Sequence, residues 1–271
     1  MRGLLVGLLA TVLAGCSTLQ GGAPAPQGSP VISRIVESGA LRVGMSGNQP
    51  PLNFKSRSGR MMGFDVDIAR GLAAMMGVEP RIVEMPFGEL LGALQRGELD
   101  LVISGMTITP ARNMKVPFVG PYQLSGKSIL TRSETLAKAD ETSDLDQPAL
   151  RLAALSGSTS EEFVKAFLPK ATLETTQDYD SAIEMLRQDE VHALVADYEI
   201  CALSVLRYPD DDLVTLSRPL TVEPLGIAVA PGDPLFMNLI ENNVAALEAS
   251  SLFEGLRGRW FKSGGWVDQL P

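Results

Sequence analysis

Two nearly unbroken apolar runs, Leu99 to Ser104 and Val191 to Ala196, constrain this chain more than any other feature. Each follows a stretch of helical periodicity, Phe87 to Arg96 before the first and Tyr179 to Gln188 before the second. A strand that is apolar throughout is buried on both faces, and alternation with helices places those helices over a largely parallel sheet. The order extends outward. Strand patterns at Leu41–Met45 and Arg81–Met85 flank a helix predicted over Val66–Met76 and stopped by Gly77, while Leu150–Leu155 precedes a helix predicted over Glu161–Phe167. Leu41–Gly47 is echoed by Leu150–Gly157, and Leu94–Glu98 by Leu186–Glu190. Two similar α/β lobes are predicted; the echoes are short, and shared architecture accounts for them as well as duplication does.

The amino terminus reads as an export and anchoring device. Met1 and Arg2 precede an apolar stretch, Gly3 to Leu13, too short to span a bilayer and placed where a signal peptide stands. It ends in Leu13-Ala14-Gly15-Cys16, which resembles the bacterial lipobox, whose cysteine is acylated; a plain signal peptide with a chance cysteine is the alternative. The expected organisation is a lipoprotein signal at 1–15, then a Gly/Pro/Ser-rich tether at 16–30 beginning with the lipidation site Cys16. With Cys16 modified, Cys201 is the remaining thiol and His192 the lone histidine, so no internal disulfide, metal site or cofactor is expected. A formal net charge of −9 excludes the basic footprint of a nucleic-acid partner.

In open α/β sheets, ligands sit beyond the carboxyl ends of the strands. After the run ending at Ser104 comes Gly105-Met106-Thr107-Ile108-Thr109-Pro110-Ala111-Arg112. Thr109 suits an N-cap and Pro110 the first helical position, which puts Arg112 in a first turn, where a cation is unfavourable unless an anion joins it. An exposed arginine or a structural ion pair is the competing reading. Beyond Leu155, Ser158 and Glu161 have capping-box spacing and Gly157 permits close backbone approach. Asp197 follows Ala196, either as a helix cap or as an acceptor for a ligand ammonium. A fixed cation in one lobe and a fixed anion in the other describe a site for a small zwitterion.

The run Gly63-Phe-Asp-Val-Asp-Ile-Ala-Arg-Gly-Leu-Ala-Ala-Met-Met76 resembles the signature of bacterial extracellular solute-binding proteins of family 3, the polar amino acid binders of ABC importers. The resemblance extends from Ile32 to about Phe261 and takes in Gly226-Ile227-Ala228-Val229. It implies a two-lobed, type II periplasmic-binding-protein-like α/β fold, each lobe a mixed, mostly parallel sheet flanked by helices. Lobe 1 would comprise 31–123 and 221–271, and lobe 2 would comprise 124–220, with hinge crossovers near Tyr122–Gly126 and Pro219–Pro224. It implies a monomer, tethered to a membrane and facing the periplasm or cell exterior, that closes on its ligand and delivers it to an ABC permease. By the same resemblance, Arg112 holds a ligand carboxylate with Thr107 and Thr159, Asp197 and the Gly105 carbonyl take the amine, and Phe87 packs on the ligand side chain. Met106 and Ser158 complete the expected site, while Asp65 and Asp67 read as helix-start residues.

Two positions depart from the pattern. Gln49 stands where an aromatic is common, and Ser46 where an aspartate often meets cationic or amide-bearing ligands. Alternatives on the same fold are a cyclohexadienyl-dehydratase-like enzyme, for which Glu199 is the candidate acid, and a ligand-sensing lipoprotein.

Overall fold

The computed structural model describes residues 28–139 and 141–270. The expected signal peptide and Cys16 lie outside them. Ser29 and Pro30, assigned above to the tether, belong to the folded body. Ser29 caps helix α1 (Pro30–Ser38) by accepting from the Ile32 amide, and its hydroxyl donates to Asp233 at 2.6 Å.

Among the described residues thirteen strands follow in order: β1 Ala40–Met45, β2 Asn48–Gln49, β3 Asn53–Lys55, β4 Met61–Met62, β5 Glu79–Glu84, β6 Leu101–Val102, β7 Phe118–Ser125, β8 Lys127–Thr131, β9 Arg151–Leu155, β10 Thr172–Thr176, β11 Ala193–Asp197, β12 Val214–Thr215 and β13 Glu223–Val229. Between them run α2 Phe64–Met75, α3 Leu90–Gln95, α4 Pro110–Asn113, α5 Thr159–Phe167, α6 Tyr179–Arg187 and α7 Tyr198–Arg207; α8 Pro234–Glu248 and α9 Ser251–Arg257 come last. One sheet has the order β5-β1-β6-β13-β7 and the other β10-β9-β11-β8-β12, with β2-β3-β4 as a small third sheet.

The two large sheets share one plan. In each, the first three strands are parallel, the fourth runs antiparallel to both its neighbours, and the fifth points the same way as the first three. The apolar runs seen in the sequence become β6 and β11, the central strands of the two sheets. Each sheet is therefore mixed and mostly parallel in strand direction, as expected, with β13 and β8 as the strands that run against the rest. Geometry gives this a consequence: an antiparallel neighbour begins at the edge where the parallel strands end, so its first residue joins their last in facing the cleft.

The chain leaves the first sheet at Ser125, enters the second at Lys127, and returns to the first at Glu223. β7 and β13 pair antiparallel, with Glu223 opposite Ser125, so the outgoing and returning chains lie side by side. α8 packs back on the first sheet by burying Phe236, Ile240, Val244 and Leu247, each worth roughly 1.5–3 kcal/mol. One face of the second sheet has its own cluster around Ile129, Leu152, Phe163 and Val195. Side chains on its other face, among them Leu130 and Leu194, are continuous with the core of the first.

The lone histidine, the remaining thiol and the two tryptophans serve the scaffold. Trp260 and Trp266 pack with Phe54. His192 accepts the Arg151 amide at 2.9 Å through Nδ1. Cys201 is fully buried, which pushes its thiol pKa up.

Candidate functional site

The loop after β6 is shaped by backbone constraints before any charge is placed. Gly105 has φ +57°, and a Cβ there would stand 2.7 Å from Gln49 Oε1 and 2.8 Å from a Leu52 methyl. The loop is pinned from behind by Asp65, which accepts from the Gly105 amide at 3.0 Å, from Asn53 Nδ2 at 2.8 Å and from the Tyr122 hydroxyl at 2.9 Å. Complete burial raises the Asp65 pKa to about 6 against the pull of these three donors. The helix-start residue of the sequence reading thus anchors a cleft loop from within the core.

Beyond that loop, Thr109 caps α4 by accepting the Arg112 amide at 3.2 Å, with Pro110 in the first turn as expected. Arg112 is buried. Its guanidinium donates to the Thr107 carbonyl at 2.9 Å and, across the cleft, to the Gly157 carbonyl at 3.1 Å, and it lies 5.7 Å from the Phe87 ring centroid. Among the described residues no carboxylate forms an ion pair with it. Burial lowers its pKa, opposed by the more distant carboxylates of Glu162, Asp197 and Glu223.

On the opposite side, Ser158 caps α5 by accepting the Glu161 amide at 3.2 Å. The reciprocal arm of the box is shifted by one residue. Glu161 accepts from Gly157, at 2.6 Å, because the Ser158 amide is already bonded to the Leu155 carbonyl. Gly157 has φ +73°, and a Cβ there would stand 2.8 Å from Gly88 Cα, so the two lobes touch backbone to backbone.

Asp197 ends β11 at the cleft, but its side chain caps nothing. Instead it accepts from Lys127 Nζ at 2.5 Å, and Lys127 is its cross-strand partner at the start of β8. The same ammonium lies 2.8 Å from Glu223 Oε2. That oxygen also accepts from the hydroxyls of Thr107 and Thr159, both at 2.9 Å. Burial opposes the Lys127 charge, but the two carboxylates outweigh it and raise its pKa. Burial likewise opposes the Glu223 charge, and Lys127 with the two threonines lowers its pKa overall.

Of the residues expected from the sequence, Phe87, Gly105, Thr107, Ser158, Thr159 and Asp197 line one narrow cleft together with Gln49, Lys127 and Tyr179. Arg112 closes its edge through Thr107 and Gly157. Met106 is elsewhere: its side chain is buried in the first lobe's core and its carbonyl accepts the Gly226 amide at 2.9 Å. Gln49 fills space beside Gly105, at the position noted for lacking an aromatic ring. Sequence reasoning did not single out Lys127, Glu223 or Tyr179. Free volume within the cleft is about 10 Å³, room for one water at most, so a solute enters only when the lobes part.

Glu199 is not in this cleft. It accepts from the Ser125 hydroxyl and lines a separate groove of about 450 Å³ with Tyr198, Trp260 and Trp266; burial raises its pKa.

Comparisons with known proteins show the family and the fold. The model of the bacterial extracellular solute-binding proteins, family 3, matches residues 41–263. The L-cystine-binding protein TcyJ of Escherichia coli strain K12 is 24% identical over 231 residues, covering 85% of this chain and 86% of the relative. The cyclohexadienyl dehydratase of Pseudomonas aeruginosa is 25% identical with the same coverage. Among solved structures, the ancestral amino acid-binding protein AncCDT-1, a precursor of cyclohexadienyl dehydratase, superposes with a TM-score of 0.78 at 34% identity, covering 85% of this chain and 99% of that one.

Proposed function

The chain belongs to the bacterial extracellular solute-binding proteins of family 3, and we propose that it is the solute receptor of an amino-acid-type ABC importer, taking a small solute by its carboxylate in the cleft between the two sheets. The observation that carries this reading is Arg112, a buried guanidinium that bonds backbone carbonyls of both lobes and has no ion-pair partner among the described residues. A carboxylate approaching it gains a charge-assisted, bidentate partner in a place from which water is largely excluded. Thr107, Thr159, Phe87 and Ser158 form the walls, and Gly105 and Gly157 set how closely the lobes meet.

In this reading lobe 1 is 31–123 with 221–271 and lobe 2 is 124–220, and closure is a hinge motion about the paired segments at Ser125 and Glu223. The protein is a monomer, held to a membrane by a lipid on Cys16, facing the periplasm or cell exterior, and it hands its solute to a permease. Binding without turnover is supported by Glu199, the sequence candidate for a general acid, which bonds Ser125 in a separate groove.

The test is a thermal-shift screen of the full-length chain in detergent against common amino acids and small organic acids, repeated with Arg112→Ala. A ligand at a hundredfold excess over its Kd adds about 2.7 kcal/mol, enough to stand out. The expected outcome is a stabilising carboxylate whose effect disappears in the variant. Stabilisation that survives the variant removes the site.

A further inference from the structure

We propose that Lys127 is a specificity-determining residue which takes the place of a solute ammonium, so that the preferred solutes are small carboxylates without an α-ammonium, such as 2-oxo and 2-hydroxy acids. The inference rests on the reading above, in which Arg112 receives the carboxylate.

Its foundation is the register of the second sheet. Asp197 and Lys127 face each other across adjacent antiparallel strands of one lobe, and their side chains meet at 2.5 Å. Lobe motion does not separate them. The acid that would receive an amine is therefore already matched to an ammonium when the cleft is open. Lys127 is 1% exposed, so displacing it from Asp197 strips a buried cation of one of its two carboxylates. An amine approaching the remaining Asp197 oxygen would stand against the like charge of Lys127.

The rest of the cleft is arranged in the same sense. Glu223 supplies the second carboxylate on Lys127 and receives both threonine hydroxyls, so two lysine contacts and two hydroxyl contacts are satisfied within the protein. Arg112 and Lys127 balance Asp197 and Glu223 in number, yet both carboxylates are committed to Lys127. One charge is left to recognise, and it is the positive charge of Arg112. A monoanionic acid answers it directly, whereas a zwitterion brings an additional ammonium for which no uncommitted anion is at hand.

Calorimetric titration of the full-length chain with matched pairs tests this: pyruvate and L-alanine, 2-oxoglutarate and L-glutamate, phenylpyruvate or phenyllactate and L-phenylalanine. The expected result is that the acid binds at least tenfold tighter than its amino acid in every pair that binds. In Lys127→Met/Glu223→Gln, which frees Asp197 while keeping an acceptor for the threonines, the preference should invert. The wild-type arm decides alone if that variant does not fold. Amino acids preferred by the wild type, with binding abolished by Arg112→Ala, would overturn the inference and leave the carboxylate site standing. Binding by no member of any pair, or binding indifferent to Arg112→Ala, would remove the parent reading and the inference with it.

Discussion

The two walls of the cleft both bury charge, and they do so differently. On the first lobe, Arg112 and Asp65 are buried ions with only hydrogen-bonding partners: backbone carbonyls for the guanidinium, and an amide, a side-chain amide and a phenol for the carboxylate. On the second lobe, Asp197 is neutralised within its own sheet by Lys127, and Glu223 closes the group from the returning strand. A buried ion pair is costly to break, while a buried ion held by neutral groups retains a demand for a counter-ion. The second wall is thus neutralised from within, whereas on the first the guanidinium of Arg112 is left open to an incoming anion and Asp65, deeper in the core, answers its burial by holding a proton more readily.

That contrast predicts which property each substitution damages. The largest effect should come from Lys127→Met, which leaves Asp197 and Glu223 facing one another with no cation between them. Loss of one partner of a buried pair costs about 3–5 kcal/mol. Urea denaturation of the full-length chain should show a drop of that order, partly recovered when Glu223→Gln is added. A stability unchanged by Lys127→Met would mean that the pair is solvated and that the contrast between the walls does not exist.

Arg112→Ala should do the reverse. Removing the one guanidinium available to a carboxylate costs about 2–5 kcal/mol of binding. Folding stability should move by no more than about 1 kcal/mol, since two hydrogen bonds are lost together with the penalty of burying the charge. Titration and denaturation of the same preparation separate the two effects. Equal losses in both would make Arg112 a structural residue.

How far this contrast was legible beforehand depends on strand direction. Looking just past the carboxyl ends of apolar strands leads to Thr107, Arg112, Thr159 and Asp197, because β6 is parallel to β1 in the first sheet and β9 to β11 in the second, so within each sheet these ends share an edge. Lys127 and Glu223 begin strands. They reach the same edge only because β8 and β13 run antiparallel to β11 and β6, and nothing in the local pattern of Gly126-Lys127-Ser128 announces direction. The signal that was available is a lysine opening an otherwise buried strand, Lys127 to Thr131. Met106 illustrates the opposite error. It sits between two cleft residues in sequence, but its backbone continues the pairing toward β13 and its side chain turns into the core. Cap positions were more readable, since Thr109-Pro110 and Ser158 act through contacts only three residues away.

A third substitution addresses how closely the walls approach. Gly157→Ala places a methyl group 2.8 Å from Gly88 Cα at a backbone angle that L-residues rarely adopt. The left-handed conformation alone costs roughly 1–2 kcal/mol, and the clash is relieved only by keeping the lobes apart. Affinity for any solute that needs closure should fall about tenfold, equivalent to about 1.4 kcal/mol. Small-angle scattering should show a more open molecule. An unchanged scattering profile together with unchanged affinity would mean that the backbone contact between the lobes plays no part in binding.

The smallest effect, and the most selective, is the acid response of Asp65. Its pKa in the folded protein, raised by burial to about 6, exceeds the ordinary value of 3.8, so between those limits the folded state holds more protons than the unfolded state. Stability should therefore rise as pH falls from 6 toward 4.5, with a slope from this group of at most about 1.4 kcal/mol per pH unit. Glu223 acts in the other direction and at lower pH. Its pKa is lowered from 4.5, so its contribution is present above that value and is lost as pH drops through the lower, folded one. Glu199, whose pKa burial also raises, adds to the rise on acidification, so the first wall is read from the difference between the wild type and a variant at Asp65. In Asp65→Asn the rise on acidification should be smaller in denaturation midpoints measured from pH 6 to 4.5, while the loss at lower pH from Glu223 remains. Parallel profiles for the two proteins would mean that the three donors to Asp65 fully offset its burial, leaving Arg112 as the first wall's only unbalanced charge.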